Sequence, residues 1–116
     1  VIKASRIQDK VAGVGFDWEA SHQVLDKVKE ELNELSVEVS NQDKDAIEAE
    51  FGDVLFSMIN YARFLGIDAE SALERTNKKF ITRFKYLEQQ VKAQGKDLKA
   101  MTLDEMDVYW EAAKKL

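Results

Sequence analysis

Two pairs of carboxylates stand at a spacing that puts each pair on one helix face. Glu31 and Glu34 lie in KEELNEL (29–35), and Glu50 and Asp53 lie in EFGD (50–53). Residues three apart are neighbours on a helix surface. Four carboxylates gathered in a partly desolvated groove repel one another strongly. A set that offers only oxygen ligands suits a hard divalent cation, Mg²⁺ or Mn²⁺, rather than zinc. The expected chemistry is therefore that of a cation site that can recruit oxyanions to an acidic protein. A solvated acidic face, where single carboxylates contribute little, is the better account of Glu30, Glu38 and Glu48. His22, the one histidine, is expected on the surface at a helix start.

The elements that must position these acids are helices. No proline interrupts the chain, and its five glycines are widely spread, a pattern of long helices with few breaks. A short helix is expected over 4–12, closed by GVG (13–15), with FDWEASH as a loop or helix start. Val24, Leu25, Val28, Leu32, Leu35 and Val39 recur at helical spacing over 21–40. SNQDKD (40–45) reads as a turn. Ile47, Phe51, Val54, Leu55, Met58, Ile59, Ala62 and Leu65 define a helix over 44–65, which Gly66 can stop. Asp68 can cap a fourth helix running to about 94. Thr102 and Glu105 form a capping-box pattern for a last helix reaching about 115. Nothing reads as a strand, so the fold class is all-α, with three long helices and two shorter ones.

At ~100° per residue, Glu31 falls on the border of the apolar stripe of the second helix, with Glu34 beside it one turn on. Glu50 and Asp53 flank the stripe of the third helix, and Ser57, Asn60 and Phe64 continue their strip. If the two helices form an antiparallel hairpin, the acidic pairs can meet. Gly52, beside Asp53, costs about 1 kcal/mol relative to alanine in mid-helix, for which close helix packing is the ordinary reason. Asn77 falls in the seam between Leu73 and Phe80, where an unpaired amide would be costly.

The chain's 116 residues suit one domain, read as 1–116, and a start at Val1 rather than methionine is what a fragment of a longer chain is expected to show. A hydrophobic share of 45% and a charged share of 34% indicate a folded chain. A net charge of −5 argues against a nucleic-acid polymer as partner. The absence of cysteine fits a reducing compartment, and no apolar run approaches a membrane span, so a cytoplasmic location away from membranes is expected. Three long helices with wide apolar faces bury one another incompletely, and a homodimer would supply the missing faces.

EExxE at 30–34, followed by ExxD at 50–53, resembles the MazG-type nucleoside triphosphate pyrophosphohydrolases. The resemblance extends through VGFDWEASHQVLDKVKEELNEL (14–35), EFGDVLFSMINYARFLGID (50–68), TNKKFITRF (76–84) and LDEMDVYWEAAKK (103–115). The opening KASRIQDKVAGVGFDW is most similar to the C-terminal domain of two-domain members. The resemblance implies an all-α fold dimerising around a four-helix bundle. It also implies Mg²⁺-dependent hydrolysis of nucleoside triphosphates to the monophosphate and pyrophosphate. By position, Glu31, Glu34, Glu50 and Asp53 would hold the metal, with Mn²⁺ a possible substitute. Lys79 and Arg83 would meet phosphates, and Asn60, Trp18 and Trp110 would contact ribose, base or the metal's surroundings. Some members carry a lysine where this chain has Ala46; Lys44 is nearby in a different register.

Glu34 or Glu50, where not fully engaged by metal, could orient the attacking water as a base. Lys79 and Arg83, four apart, could stabilise charge on the leaving pyrophosphate. Two other readings use the same residues. One is a non-catalytic helical dimerisation module that keeps the fold. The other is a relative specialised for one nucleotide, such as dUTP or phosphoribosyl-ATP.

Overall fold

The backbone signals place the helices closely. A computed structural model describes residues 1–116, with α1 (Ile2–Ala12), α2 (Ser21–Asn41), α3 (Lys44–Phe64), α4 (Ala69–Ala93) and α5 (Leu103–Ala113) and no strand. A short 3₁₀ helix, Leu98–Ala100, precedes α5. It is capped by Asp97, whose Oδ1 accepts from the Lys99 amide at 3.1 Å. Nothing in the apolar spacing signals so short an element.

The caps explain the boundaries. Asp43 Oδ1 accepts from the amides of Asp45 (3.1 Å) and Ala46 (3.2 Å) and starts α3. Asp68 Oδ1 does the same for Glu70 at 3.0 Å, at the start of α4. Thr102 Oγ1 accepts from the Glu105 amide, and the Glu105 carboxylate accepts from the Thr102 amide, each at 3.2 Å. At α2 the polar side chain lies inside the helix: Gln23 Oε1 accepts from the amides of Glu19 and Ala20. Each such cap satisfies amides that have no partner within the helix. Gly66, with φ +70°, ends α3 as expected.

The turn between α2 and α3 is tighter than the polar stretch 40–45 suggests. Only Gln42 and Asp43 lie outside the helices, and Gln42 takes the left-handed conformation at φ 58°. So short a connection sends α3 back along α2, and these two helices form the principal packing of the fold. Helix α1 packs on α3, tied by Gln8 Nε2, which donates to the Phe56 carbonyl at 2.9 Å.

The chain divides into two compact units, Val1–Ala72 and Leu73–Leu116. In the first, Val24 and Val28 of α2 are buried. Leu25 and Leu35 are half-buried, whereas Leu32 and Val39 stand exposed although they belong to the same stripe. Phe51, Leu55 and Met58 of α3 are likewise about half exposed. In the second unit Leu87, Val91 and Ala113 are buried, Phe80 stacks on Phe84, and Tyr109 Oη donates to Gln94 Oε1 at 2.7 Å.

Two sequence expectations need correction. Asn77 is exposed, as are Leu73 and Phe80 on either side of it, so no buried amide is at stake there. A Cβ added at Gly52 would meet nothing within 4 Å. Close packing within this chain therefore does not explain the glycine.

Candidate metal centre

The antiparallel α2–α3 pair brings the acids together. Glu31, Glu50 and Asp53 each offer a carboxylate oxygen, and these oxygens lie within 4.8 Å of one another. Glu31 is buried, Glu50 half-buried and Asp53 exposed. Glu31 Oε2 and Glu50 Oε2 are both buried without a hydrogen-bond partner. Buried carboxylate oxygens of this kind are costly unless something compensates them. An all-oxygen donor set with two orphaned atoms fits a hard divalent cation.

The titration behaviour follows from this crowding. Glu50 is pushed from 4.5 up to about 7, first by desolvation, then by the Glu31 carboxylate and the charges of Glu34 and Asp53. Glu34 is also raised, chiefly by the charge of Glu31. It stands close enough to feel the cluster but is not one of the three converging residues. Glu31 moves the other way, because Lys27 holds it ionised. Lys27 Nζ lies 2.9 Å from Glu31 Oε1 and 3.4 Å from Glu30 Oε1. Lys27 is not among the residues singled out above, although its place one helical turn before Glu31 is a signal in the sequence for this pair.

Two cavities meet at this place. One, of about 300 Å³, is lined by Lys27, Glu31, Asp53 and Ser57 together with Trp18, Phe56 and Asn60. The second, of about 510 Å³, shares Trp18, Phe56 and Asn60 and continues along α1 past Ile7, Gln8 and Val11. Trp18 is therefore an exposed wall residue. Asn60 is half-buried, and its Oδ1 accepts from Arg63 Nε (3.1 Å) and Nη2 (2.9 Å).

Arg63 also forks onto Asp17, with Nη1 to Oδ2 at 3.0 Å and Nη2 to Oδ1 at 2.6 Å. This bidentate pair anchors the 13–20 loop to α3. The Arg63 hydrogen bonds hold the Asp17 carboxyl below its usual value. The Asp17 contribution is thus present above the unfolded carboxylate pKa and is lost as pH falls through the lowered folded value. Asp17→Asn is expected to lower the melting temperature at pH 7. The gap to wild type should shrink once the pH drops below about 4. Thermal melts at pH 7 and pH 3 check this, and an equal gap at both would mean that the ion pair is not what anchors the loop.

The remaining residues singled out from the sequence fall in the second unit. Lys79 is exposed, and Arg83 and Trp110 are half-buried. Trp110 packs on Phe80 with ring centroids 5.1 Å apart. His22 is exposed as expected.

The MazG nucleotide pyrophosphohydrolase domain matches residues 19–87, the stretch that contains both acidic pairs and both helices of the hairpin. The chain belongs to the MazG family. It is 43% identical over 111 residues to the nucleoside triphosphate pyrophosphohydrolase/pyrophosphatase MazG of Thermotoga maritima, covering 96% of this chain and 42% of that protein. It is 39% identical over 117 residues to the nucleoside triphosphate pyrophosphohydrolase of Escherichia coli, covering 99% of this chain and 44% of that protein. A third relative, the Bacillus subtilis protein YabN, is 48% identical over 69 residues, 60% of this chain and 14% of YabN. The chain thus spans less than half the length of the first two relatives. No helix in it is long and apolar enough to cross a membrane.

Proposed function

We propose that this MazG domain hydrolyses nucleoside triphosphates to the monophosphate and pyrophosphate with Mg²⁺, Mn²⁺ being a possible substitute. The observation that carries this reading is the convergence of Glu31, Glu50 and Asp53, with two buried oxygens lacking partners, in a family named for nucleotide pyrophosphohydrolysis. A divalent cation held there supplies charge neutralisation and Lewis acidity toward phosphate oxygens. Glu31, Glu50 and Asp53 hold it. Glu34 can serve as a further ligand, but its place outside the converging three leaves it free to orient the attacking water and accept its proton. Lys79 and Arg83 meet phosphate oxygens and stabilise charge on the leaving pyrophosphate. Lys27 neutralises Glu31 when no cation is bound. Asn60 and Trp18, on the wall shared by the two cavities, contact ribose and base, and Trp110 is a weaker candidate for the same role. Pyrophosphate release from mixed nucleoside triphosphates with Mg²⁺, set against an EDTA control, tests the reading. Absence of release would favour a non-catalytic helical module. Release from one nucleotide only, such as dUTP or phosphoribosyl-ATP, would mark a specialised relative. Such an enzyme fits the cytoplasm.

The active form we propose is a homodimer. Leu32, Val37 and Val39 on α2, together with Phe51, Leu55 and Met58 on α3, remain about half exposed. A surface so rich in large apolar side chains calls for a partner. Sedimentation equilibrium at micromolar concentration should give twice the chain mass, and a fully active monomer would contradict the proposal.

A further inference from the structure

The Arg63 guanidinium holds two parts of the site at once. Its fork on Asp17 fixes the loop that carries Trp18, and Asp17 Oδ1 also accepts from the Trp18 amide at 2.8 Å. Elsewhere on the same guanidinium, Nε and Nη2 both donate to Asn60 Oδ1, at 3.1 Å and 2.9 Å. The group lies over the Phe64 ring, 4.9 Å from its centroid, which further restricts its turning. A guanidinium can only donate, so the Asn60 atom that faces it must be the oxygen. The planar amide then turns its Nδ2 away from Arg63. Neither side-chain hydrogen bond of Asn60 uses that nitrogen. Unlike Glu31 Oε2 and Glu50 Oε2, it is not sealed from solvent. Asn60 lines both cavities, whereas Arg63 lines only the 510 Å³ one. The unused donor is thus left for the 300 Å³ cavity, which Glu31 and Asp53 also line.

We infer that Arg63 is a positioning residue that makes Asn60 a donor-only group, and that this donor meets a hydroxyl oxygen of the nucleotide sugar. The inference rests on the nucleotide reading given above. It adds the direction of the Asn60 contact and the residue that imposes it. An unrestrained asparagine can turn either its oxygen or its nitrogen toward a ligand. With Oδ1 pinned by two N–H groups, Asn60 offers a ligand only hydrogens. The amide is already oriented before substrate arrives, so binding does not bear the cost of ordering it. Its place on the helix favours the sugar over the phosphates. Asn60 stands two helical turns beyond Asp53, about 10 Å along α3. Phosphate oxygens on a cation held by Glu31, Glu50 and Asp53 fall short of it, and the sugar is the next part of the nucleotide.

AMP and 2′,3′-dideoxy-AMP test this in Mg²⁺ without requiring hydrolysis. The second lacks both sugar hydroxyls and keeps the base and the phosphate. Each is titrated while the Asn60 side-chain NH₂ is followed by NMR. Wild type should bind AMP about threefold to tenfold more tightly, the range of one neutral hydrogen bond, and AMP should move the Asn60 signal further. Of 2′-deoxy-AMP and 3′-deoxy-AMP, one should behave like the dideoxy compound and so name the hydroxyl. Asn60→Asp keeps the shape and an oxygen for Arg63 but has no N–H, and should bring the ratio close to one. Arg63→Met releases the amide, so the ratio should fall although Asn60 is still present. Asp17→Asn frees the loop but leaves Arg63 on Asn60, and should keep the wild-type ratio. The inference is overturned if wild type does not distinguish AMP from its dideoxy form, or if the Asn60 signal responds to neither. It is also overturned if Arg63→Met keeps the preference, or if Asp17→Asn loses as much of it as Arg63→Met. Should Arg63→Met fail to fold, Arg63→Lys takes its place under the same criterion, since it keeps a charge for Asp17 without the two-point hold on Oδ1. If ATP releases no pyrophosphate but the preference and its dependence on Arg63 hold, the hydrolase reading fails and the inference stands. Pyrophosphate release without the preference keeps the hydrolase reading and overturns the inference.

Discussion

Glu50→Gln is expected to lower turnover by more than about a hundredfold and, in the same protein, to raise the melting temperature of the metal-free form at neutral pH. Loss of turnover follows from removing a proposed metal ligand. Removing a group that merely supports a ligand typically costs 10–100-fold in metal affinity or activity, and a ligand itself should cost more. The gain in stability follows from the crowding. Glu50 has a folded-state pKa raised from 4.5 to about 7, so the folded chain binds this proton more tightly than the unfolded chain. Stability must then decline as pH rises from about 4.5 to about 7, because ionisation is opposed only in the folded state. Glutamine keeps the shape and has no charge to repel. In EDTA the variant should melt above wild type at pH 8, and the gap should close toward pH 5. The Mg²⁺-dependent rise in melting temperature should also shrink, since a ligand stabilises only through its affinity for the folded state. A surface acid would give none of these results. An unchanged melt in EDTA together with an unchanged Mg²⁺ response would show that the three carboxylates do not act as one site.

Arg83→Ala is expected to separate catalysis from metal binding. A guanidinium that meets phosphate acts on charge developing at the leaving group, and loss of one such donor costs about 10²–10³ in kcat. Its partner is the substrate, so the Mg²⁺-dependent stabilisation of the protein without nucleotide should be unaltered. Arg83→Lys should recover part of the rate, because an ammonium supplies the charge but not the planar two-point contact. The measurements are kcat for the three proteins and melting temperature across a Mg²⁺ titration. Equal losses of Mg²⁺ response and of kcat in Arg83→Ala would make Arg83 a support for the carboxylates rather than a phosphate contact.

The sequence by itself determined the helices and their ends. Asp43, Asp68 and the Thr102–Glu105 pair cap the amides that follow them, and those bonds span at most three residues. Local hydrogen bonds and side-chain period are written locally, so they are legible without the fold. The same holds for the placement of Glu31 on the border of its stripe, since 100° per residue is a property of one helix. The ends of the SNQDKD turn were less legible, because a left-handed glutamine at Gln42 has no strong local signal.

Tertiary structure alone decided which acids meet. Whether Glu31 finds Glu50 and Asp53, and whether Glu34 falls beside them, depends on the rotation and register of α2 against α3. Side chains scattered along both helices set that rotation together. The burial of Gln8 against Phe56 and the fork of Arg63 on Asp17 join residues 48 and 46 positions apart. Periodicity shows which face of a helix is apolar but not which part of it is covered, and so Leu32 and Phe51 read as core yet stand exposed. Burial belongs to pairs of surfaces, and a single helix carries only one of them.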